Sequence, residues 1–593
     1  MIHFSSICVT LAVLCYLGIS DACTNFIATR AVTDDSSTIL AYNADSSTLY
    51  GQLYSYPAQK NIPKGTMRKI FDWDSGNYLG MIPEAENTYN VIGNMNEYGL
   101  SISETTYGGV AALQKQPGAI MDYGNLEWVT LQRAKTARDA IHIIDDLMQT
   151  YGYASEGESF SISDSSESWI MEIIGKGSLS STENKLGSVW VARKIPDGSI
   201  CAHANQARIT TFPKDNPEDT LYAADVISFA REIGLYTGSD DAFSFSDVYD
   251  PLTFTGARMC EARVWSLFGK VMGPAWMSQY EDYASGFNLT NRMPLYVQPP
   301  SNVKLTVPNV LQMMRDHYDG TSLDMSGSSF SDIGASNANI PYRAHPLTWT
   351  SNNKQYFNER PVGTQQTGFS FVAQSRHWMP APLRGVLWFG VDDSSTTAHL
   401  PVYGSTTRAP KEYAGKGPQD GVVPPMMMFD MRSAFYAFNV VANWVYTRWG
   451  LMYPDLHAAI LTTESAFATE LKQMDIKALH VLETEGYSAC VERVTAWSSE
   501  LATNLITQWN ALFGNLFVKY RDGYVITPNA QNLACGCSAA AAPYPQPWYD
   551  DIASSTGSHL QIPQQAESQN DDGVGLVNND FKPIPKTSVL QRR

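Results

Sequence analysis

From Cys23 to about Gly109 the chain alternates short apolar runs with turns, as in NFIATRAV, STILAYNAD and TYNVIGNMNEYGLSISETT. Apolar residues at every second position, such as Leu100 and Ile102, turn one side of an extended chain to a core and predict strands. The NEYG tetrapeptide between two such runs predicts a hairpin connection. Over residues 123–149 the period changes: Trp128, Leu131, Ala134, Ala137, Ile141, Ile144 and Met148 recur at steps of three and four. That stripe predicts a helix lying on a core. Alternation returns in SFSISDSSESWIMEIIG and SVWVARKIPDGSICAHANQARI, with Pro196, Asp197 and Gly198 supplying a turn between strands.

Residues 212–350 are mixed, with helical text at 219–235 and in VPNVLQMMRDHYDG. RDHYDG reads locally as a helix end with its glycine cap. Strands are predicted again at GFSFVAQSR, GVLWFGVDD and AHLPVYG, and helices from SAFYAFNVVANWVYTRWG onward. From about Ala539 the chain is rich in Pro, Gln, Asn and Ser without apolar period, which predicts a disordered tail over 539–593. Strand pairs, a helix, more strand pairs and terminal helices fit an α+β layered body better than alternating βαβ units.

Composition narrows the classes. Of 593 residues, 44% are hydrophobic and 17% charged, which is globular usage. The formal net charge of -18, with no basic run, argues against a nucleic-acid partner. Residues 7–19, ICVTLAVLCYLGI, are too short an apolar run to span a bilayer comfortably and suit the core of a secretion signal. Ser20 and Ala22 flank Asp21 as a signal peptidase requires, so the expectation is a signal peptide over 1–22, a body over 23–538, and a secreted or luminal protein with no membrane segment in its mature form. Cys8 and Cys15 leave with such a leader. The remaining six cysteines are sparse for a disulfide scaffold, and the CGC at 535–537 reads as disulfide partners of distant residues rather than a metal pair.

Cleavage after Ala22 makes Cys23 the first residue, and this is where chemistry enters. One residue then carries a nucleophilic thiol and a free α-amine, which ordinarily titrates near 7.7–8.0 and can act as its base. No histidine base is needed, consistent with ten histidines and no Cys/His motif. STILAYNAD ends about twenty residues later, so two neighbouring strands bring Asp45 back toward Cys23, where a carboxylate would hold and tune the amine. Taken alone, Asp45 reads more readily as a turn residue at a strand end.

CTNFIATRAVTDDSSTILAYNAD, GNMNEYGLSISETTYGG, MDYGNLEWVTLQRAKTARDAI, SDSSESWIMEIIG, VWVARKIPDGSICAHANQARI, RDHYDGT and LRGVLWFGVDD, in this order, resemble the peptidase family C69 dipeptidases, relatives of secernins, penicillin V acylase and bile salt hydrolase. The resemblance runs from Cys23 to about residue 530. It implies an N-terminal nucleophile hydrolase with an αββα four-layer sandwich and a helical C-terminal region. By motif position it implies Cys23 as nucleophile, Asp45 as the carboxylate near its amine, and Asn205 of HANQARI as an amide binding the oxyanion. The strand ending in Glu104, Thr105, Thr106 and Tyr107 corresponds to a pocket-lining segment, which makes Glu104 and Thr106 the candidate substrate-binding residues. The chain departs at Tyr42, where many relatives carry arginine; the tyrosine hydroxyl or Asn43 is then left to replace the guanidinium.

The expectation is a cysteine-type dipeptidase acting on a small peptide, with no cofactor and no metal. Two other classes stay open: an acylase acting on N-acyl amides, and a secreted binding protein that keeps the fold but has lost the chemistry. A lipid-modified Cys23 is disfavoured because Ser20 stands where a lipobox takes an aliphatic residue.

Overall fold

A computed structural model describes residues 23–46, 51–177, 186–325, 340–342, 348–415, 427–544 and 546–562. The expected leader, residues 1–22, lies outside them, as does 563–593 of the expected tail. The first part of the chain forms β1 (Thr24–Ala28), β2 (Thr38–Asp45), β3 (Ser55–Tyr56), β4 (Met67–Phe71), β5 (Tyr78–Pro83), β6 (Val91–Ile92), β7 (Met95–Asn96) and β8 (Ser101–Gly108). Helices α1 (Tyr123–Leu131) and α2 (Ala137–Tyr151) precede β9 (Gly157–Ser163), β10 (Ser168–Gly175), β11 (Ser188–Lys194), β12 (Ile200–His203) and β13 (Thr220–Tyr222). The middle holds α3 (Val226–Glu232), α4 (Phe245–Tyr249), α5 (Ala262–Met272), α6 (Pro274–Ala284), β14 (Tyr296–Val297), α7 (Val307–Met313), β15 (Thr348–Ser351) and β16 (Lys354–Phe357). Then come β17 (Thr367–Ser375), α8 (Ala381–Arg384), β18 (Gly385–Val391), β19 (Leu400–Tyr403), α9 (Ala434–Tyr446), α10 (Trp449–Thr484), α11 (Tyr487–Tyr520), β20 (Tyr524–Pro528) and β21 (Cys537–Ala541).

The protein is of mixed α and β type with a helical C-terminal region. Two large sheets carry the body: a seven-stranded one in the order β14-β12-β1-β2-β17-β18-β19 and an eight-stranded one in the order β13-β11-β10-β9-β8-β7-β6-β3. Every residue of β1, β2, β9, β10, β17 and β18 is buried, so these strands are covered on both faces even where they carry polar residues. Alternation still sorts the side chains: Phe26 and Ala28 enter one core, Ile27 the other. Side chains tie the sheets together, Asn25 Nδ2 donating to Glu104 O at 2.7 Å and Thr38 Oγ1 to Asp164 O at 2.5 Å. His203 bridges Thr105 Oγ1 and Ser161 Oγ, each at 2.7 Å; burial and then the Arg208 charge hold it down to about 3, so the ring is neutral and one nitrogen donates while the other accepts.

Several local expectations change. The single helix expected over 123–149 is two, because Thr136 and Asp139 form a capping box that starts α2 afresh. The Pro196–Gly198 turn does not close a hairpin: β11 pairs with β10 and β13, while β12 pairs with β1 and β14, so this turn carries the chain from one sheet to the other. Gly320 caps no helix, since α7 already ends at Met313. Order also continues past Ala539, where β21 completes a hairpin with β20. Cys535 and Cys537 are disulfide-bonded to each other and not to distant partners. A separate small unit beginning at Pro543 contains the helix α12 (Gln546–Thr556). Among the described residues, no helix is long and apolar enough to cross a membrane.

Candidate active site

Cys23 immediately precedes β1. The antiparallel register pairs Thr24 with Asn43, which sets the start of β1 beside the end of β2. Tyr42 projects from β2 into the same core, its ring fixed edge-on to Phe369 and tilted against Phe371. Its hydroxyl lies 3.1 Å from Cys23 Sγ and also donates to Glu104 Oε1. Glu104, delivered by β8 of the other sheet, places that same oxygen 3.5 Å from Cys23 Sγ. Cys23 and Glu104 are each 4% exposed. A thiol, a phenol and a carboxyl group thus meet at the junction of the two sheets.

Asp45 closes β2 and is fully buried. Its Oδ1 accepts from Thr367 Oγ1 at 2.6 Å, and the residue lies within electrostatic reach of Cys23. The facing cation is Arg360, whose Nη2 stands 3.8 Å from Asp45 Oδ2, outside hydrogen-bond reach. A second guanidinium, Arg263 of α5, holds the start of β1: Nη1 donates to Cys23 O and Thr24 Oγ1, both at 2.8 Å, and Nη2 to Asn205 Oδ1 at 2.9 Å. Asn205 follows β12 with φ of 59°, a left-handed conformation that asparagine tolerates, and its Nδ2 donates to Thr106 O at 2.6 Å. Thr106 Oγ1 in turn donates to Glu158 Oε2 at 3.0 Å.

Burial governs the electrostatics. The Cys23 thiol is pushed well above the ordinary thiol range by burial, then by the nearby negative charge of Glu104 and Asp45; hydrogen bonds from Tyr42 and the Asp45 backbone pull the other way. The Cys23 thiol therefore rests neutral. Asp45 is raised to about 7 by burial, against the opposing pull of Arg360 and Thr367. Glu104 and Glu158 are both raised, first by burial, and for Glu158 the nearby charge of Glu104 adds to the rise.

All five residues singled out in the sequence fall in one neighbourhood. Cys23 and Glu104 are directly linked and Asp45 lies within electrostatic reach of the thiol; Asn205 joins through Arg263, and Thr106 through Asn205 and Glu158. Sequence reasoning missed Arg263, Arg360 and Glu158, none of which carries a local signal. It also understated RDHYDG. Arg315 pairs with Glu464, Lys270 with Asp316, and His317 Nε2 with Tyr342 Oη at 2.8 Å. Tyr318 Oη donates to Arg360 O at 2.6 Å while its own φ is 64°. A bulky residue in that region stores roughly 1–3 kcal/mol of strain, sustained only where the surroundings over-determine it. Asn43, offered as a substitute for the missing arginine, instead holds the backbone: its Nδ2 donates to Met314 O at 2.9 Å and Val362 O at 2.7 Å.

The fold and the site define a mixed α/β protein with a buried thiol–phenol–carboxyl centre between two antiparallel sheets. The model of peptidase family C69 matches residues 22–461, and the chain belongs to that family. It is 26% identical over 407 residues to a probable dipeptidase of Salmonella dublin, an alignment covering 64% of this chain and 81% of that protein. It is 22% identical over 413 residues to a probable dipeptidase of Latilactobacillus sakei, covering 66% and 76% respectively. A probable dipeptidase A of Streptococcus pyogenes serotype M3 (strain SSI-1) is 22% identical over 415 residues, covering 66% and 78%.

Proposed function

We propose that the protein is a cysteine-type dipeptidase whose nucleophile, Cys23, becomes the first residue when a leader is removed in the secretory pathway. The observation that carries this reading is the contact of Cys23 Sγ with Tyr42 Oη and Glu104 Oε1 in a chain of the C69 family. The two stacked antiparallel sheets, with α2 packed on one and α5 and α11 on the other, support a four-layer sandwich of the N-terminal nucleophile hydrolase type.

The chemistry runs as follows. Cys23 Sγ attacks the scissile carbonyl carbon and forms a C–S bond, while the thiol proton passes to the α-amine of the same residue. Asp45 tunes that amine. The oxyanion is received by the Asn205 amide, with the Tyr42 hydroxyl beside the sulfur as a second donor when its proton turns from Glu104; preorganised donors of this kind are each worth about two to three orders of magnitude in rate. The C–N bond then breaks as the α-ammonium returns its proton to the leaving amine. Water hydrolyses the thioester and releases the acid and the free thiol. A residue ahead of Cys23 would convert the amine to an amide and remove the base.

A dipeptide carries an ammonium group one carbon from the scissile carbonyl. The acidic Glu104–Glu158 pair, with Thr106 against it, suits such an ammonium and disfavours an N-acyl group, which brings no charge to balance the carboxyls. This separates the dipeptidase from the acylase. The test is a panel of dipeptides beside N-acyl amides, with Cys23→Ala as control. Turnover of dipeptides lost in Cys23→Ala supports the reading; turnover of acyl amides alone, or of neither class, overturns it.

A further inference from the structure

The buried guanidiniums around Cys23 differ in one respect. Arg263 is fully engaged: besides Cys23, Thr24 and Asn205, it donates to Ala204 O at 3.3 Å and, through Nε, to Met259 O at 2.9 Å. Arg360 is not. It is 6% exposed, yet Nε and Nη2, three of its five N–H groups, find no hydrogen-bond acceptor among the described residues. Buried polar groups are almost always matched, so an unmatched guanidinium in a reactive centre points to a ligand. Asp45 Oδ2 faces it at 3.8 Å, beyond hydrogen-bond reach and itself without a hydrogen-bond partner among the described residues, while Asp45 Oδ1 accepts from Thr367.

The segment that carries Arg360 is fixed in place. Tyr318 Oη holds Arg360 O, Asn43 Nδ2 holds Val362 O, and Gly363 N donates to Asp316 O at 3.1 Å. Gly363 is required by the close approach of this segment to β18's continuation: a Cβ there would stand 2.6 Å from Ser395 Oγ. Cys23 lies within electrostatic reach of the guanidinium, as does Asp45. Three elements therefore hold one cation beside Asp45, within electrostatic reach of Cys23, and the strained Tyr318 backbone belongs to that framework.

From these observations we propose that Arg360 is the subsite for the substrate's free α-carboxylate. The proposal rests on the dipeptidase reading and deepens it. In a dipeptide the carboxylate lies one residue, at most about 3.6 Å of chain, beyond the scissile carbonyl, so a guanidinium close to Cys23 can receive it as a charge-assisted pair. Glu104 and Arg360 reach Cys23 from different elements, one acidic and one basic, matching the two ends of a zwitterion whose cleaved bond lies between them. The same arrangement measures length. A tripeptide presents a neutral amide where the carboxylate should be, leaving the buried cation unanswered.

The experiment compares each dipeptide as free acid with the same dipeptide as C-terminal carboxamide, using processed protein that begins at Cys23, in wild type, Arg360→Gln and Arg360→Lys. Wild type is expected to favour the free acid by at least about 100-fold in kcat/KM. Arg360→Gln should remove that preference, raising KM for the acid far more than for the carboxamide, and Arg360→Lys should restore part of it. Because the ratio is taken within each variant, a partly destabilised protein does not distort it. Equal losses on acid and carboxamide in Arg360→Gln would assign the residue to tuning Asp45 and overturn the subsite. An unchanged acid preference would also overturn it. Wild type inert toward both compounds would remove the dipeptidase reading itself, and the subsite with it.

Discussion

Tyr42 Oη stands 3.1 Å from Cys23 Sγ and donates to the glutamate that touches the same sulfur. The phenol at position 42, read in the sequence as a departure from the resembled family's arginine, contacts the sulfur without adding a charge. Its proton favours the thiolate, whereas the carboxyl beside it disfavours the thiolate. Burial raises the Cys23 thiol most, and these two neighbours then move it in opposite directions.

Replacing Tyr42 with phenylalanine keeps the ring against Phe369 and Phe371 but deletes the donor. The Cys23 pKa should rise further, because a hydrogen bond to the charged form is lost. Alkylation by iodoacetamide should need a higher pH, and kcat/KM for dipeptides should fall roughly 10- to 100-fold. An unshifted alkylation profile would show that the hydroxyl does not act on the sulfur.

Glu104→Gln should move the same thiol in the opposite direction. Removing a like charge lowers the Cys23 pKa, so alkylation by a neutral reagent proceeds at lower pH. Dipeptide turnover should nevertheless drop by about 100-fold, chiefly through KM, since the ammonium loses its counter-charge. Faster alkylation together with poorer peptide binding is a signature that simple misfolding does not produce.

The β1–β2 hairpin shows how far the sequence alone reaches. Its alternation, and the spacing from Cys23 to Asp45, follow from the period of a strand, and the NEYG turn before β8 brings Glu104 into the account. Arg263 and Arg360 were not legible because each meets Cys23 only through tertiary packing, 240 and 337 positions along the chain, with no local pattern to mark it. The Pro196–Gly198 turn failed for a related reason: turn chemistry fixes the bend and says nothing about which sheet receives the next strand. RDHYDG misled because a charged run ending in glycine has the composition of a helix terminus whether its side chains face solvent or, as here, a buried network.

Asp392 offers a test of the buried acids away from the thiol. Burial, then the adjacent Asp393, raises it to about 7 from an ordinary 3.8. The folded state therefore keeps a proton that the unfolded chain releases near pH 4, and its stabilising effect is lost as pH rises through 7. Asp392 has φ of 70°, which asparagine accepts, and Asn439 Nδ2 can still donate to the new side chain. Asp392→Asn should raise stability by a few kcal/mol at pH 8 and hardly change it at pH 4, as read by denaturant unfolding at the two pH values.

Glu464 reports how α10 is anchored to the seven-stranded sheet. Burial alone would raise its carboxyl, but Arg315 and His399 overcome that and hold it down to about 2. The stability it confers is present above its ordinary value of 4.5 and is lost as pH falls toward 2. Glu464→Gln leaves Arg315 buried without its counter-charge and should cost about 3–5 kcal/mol at pH 7, with the difference from wild type shrinking on acidification. A constant difference across that range would contradict the ion-pair assignment.

The central claim is that Cys23 supplies both nucleophile and base. Dipeptide hydrolysis should be measured on two otherwise identical proteins, one beginning at Cys23 and one carrying a single alanine before it, with intact mass confirming each terminus. The account predicts turnover in the first and a loss of at least about 1,000-fold in the second, with unchanged folding. Equal turnover in both would contradict it.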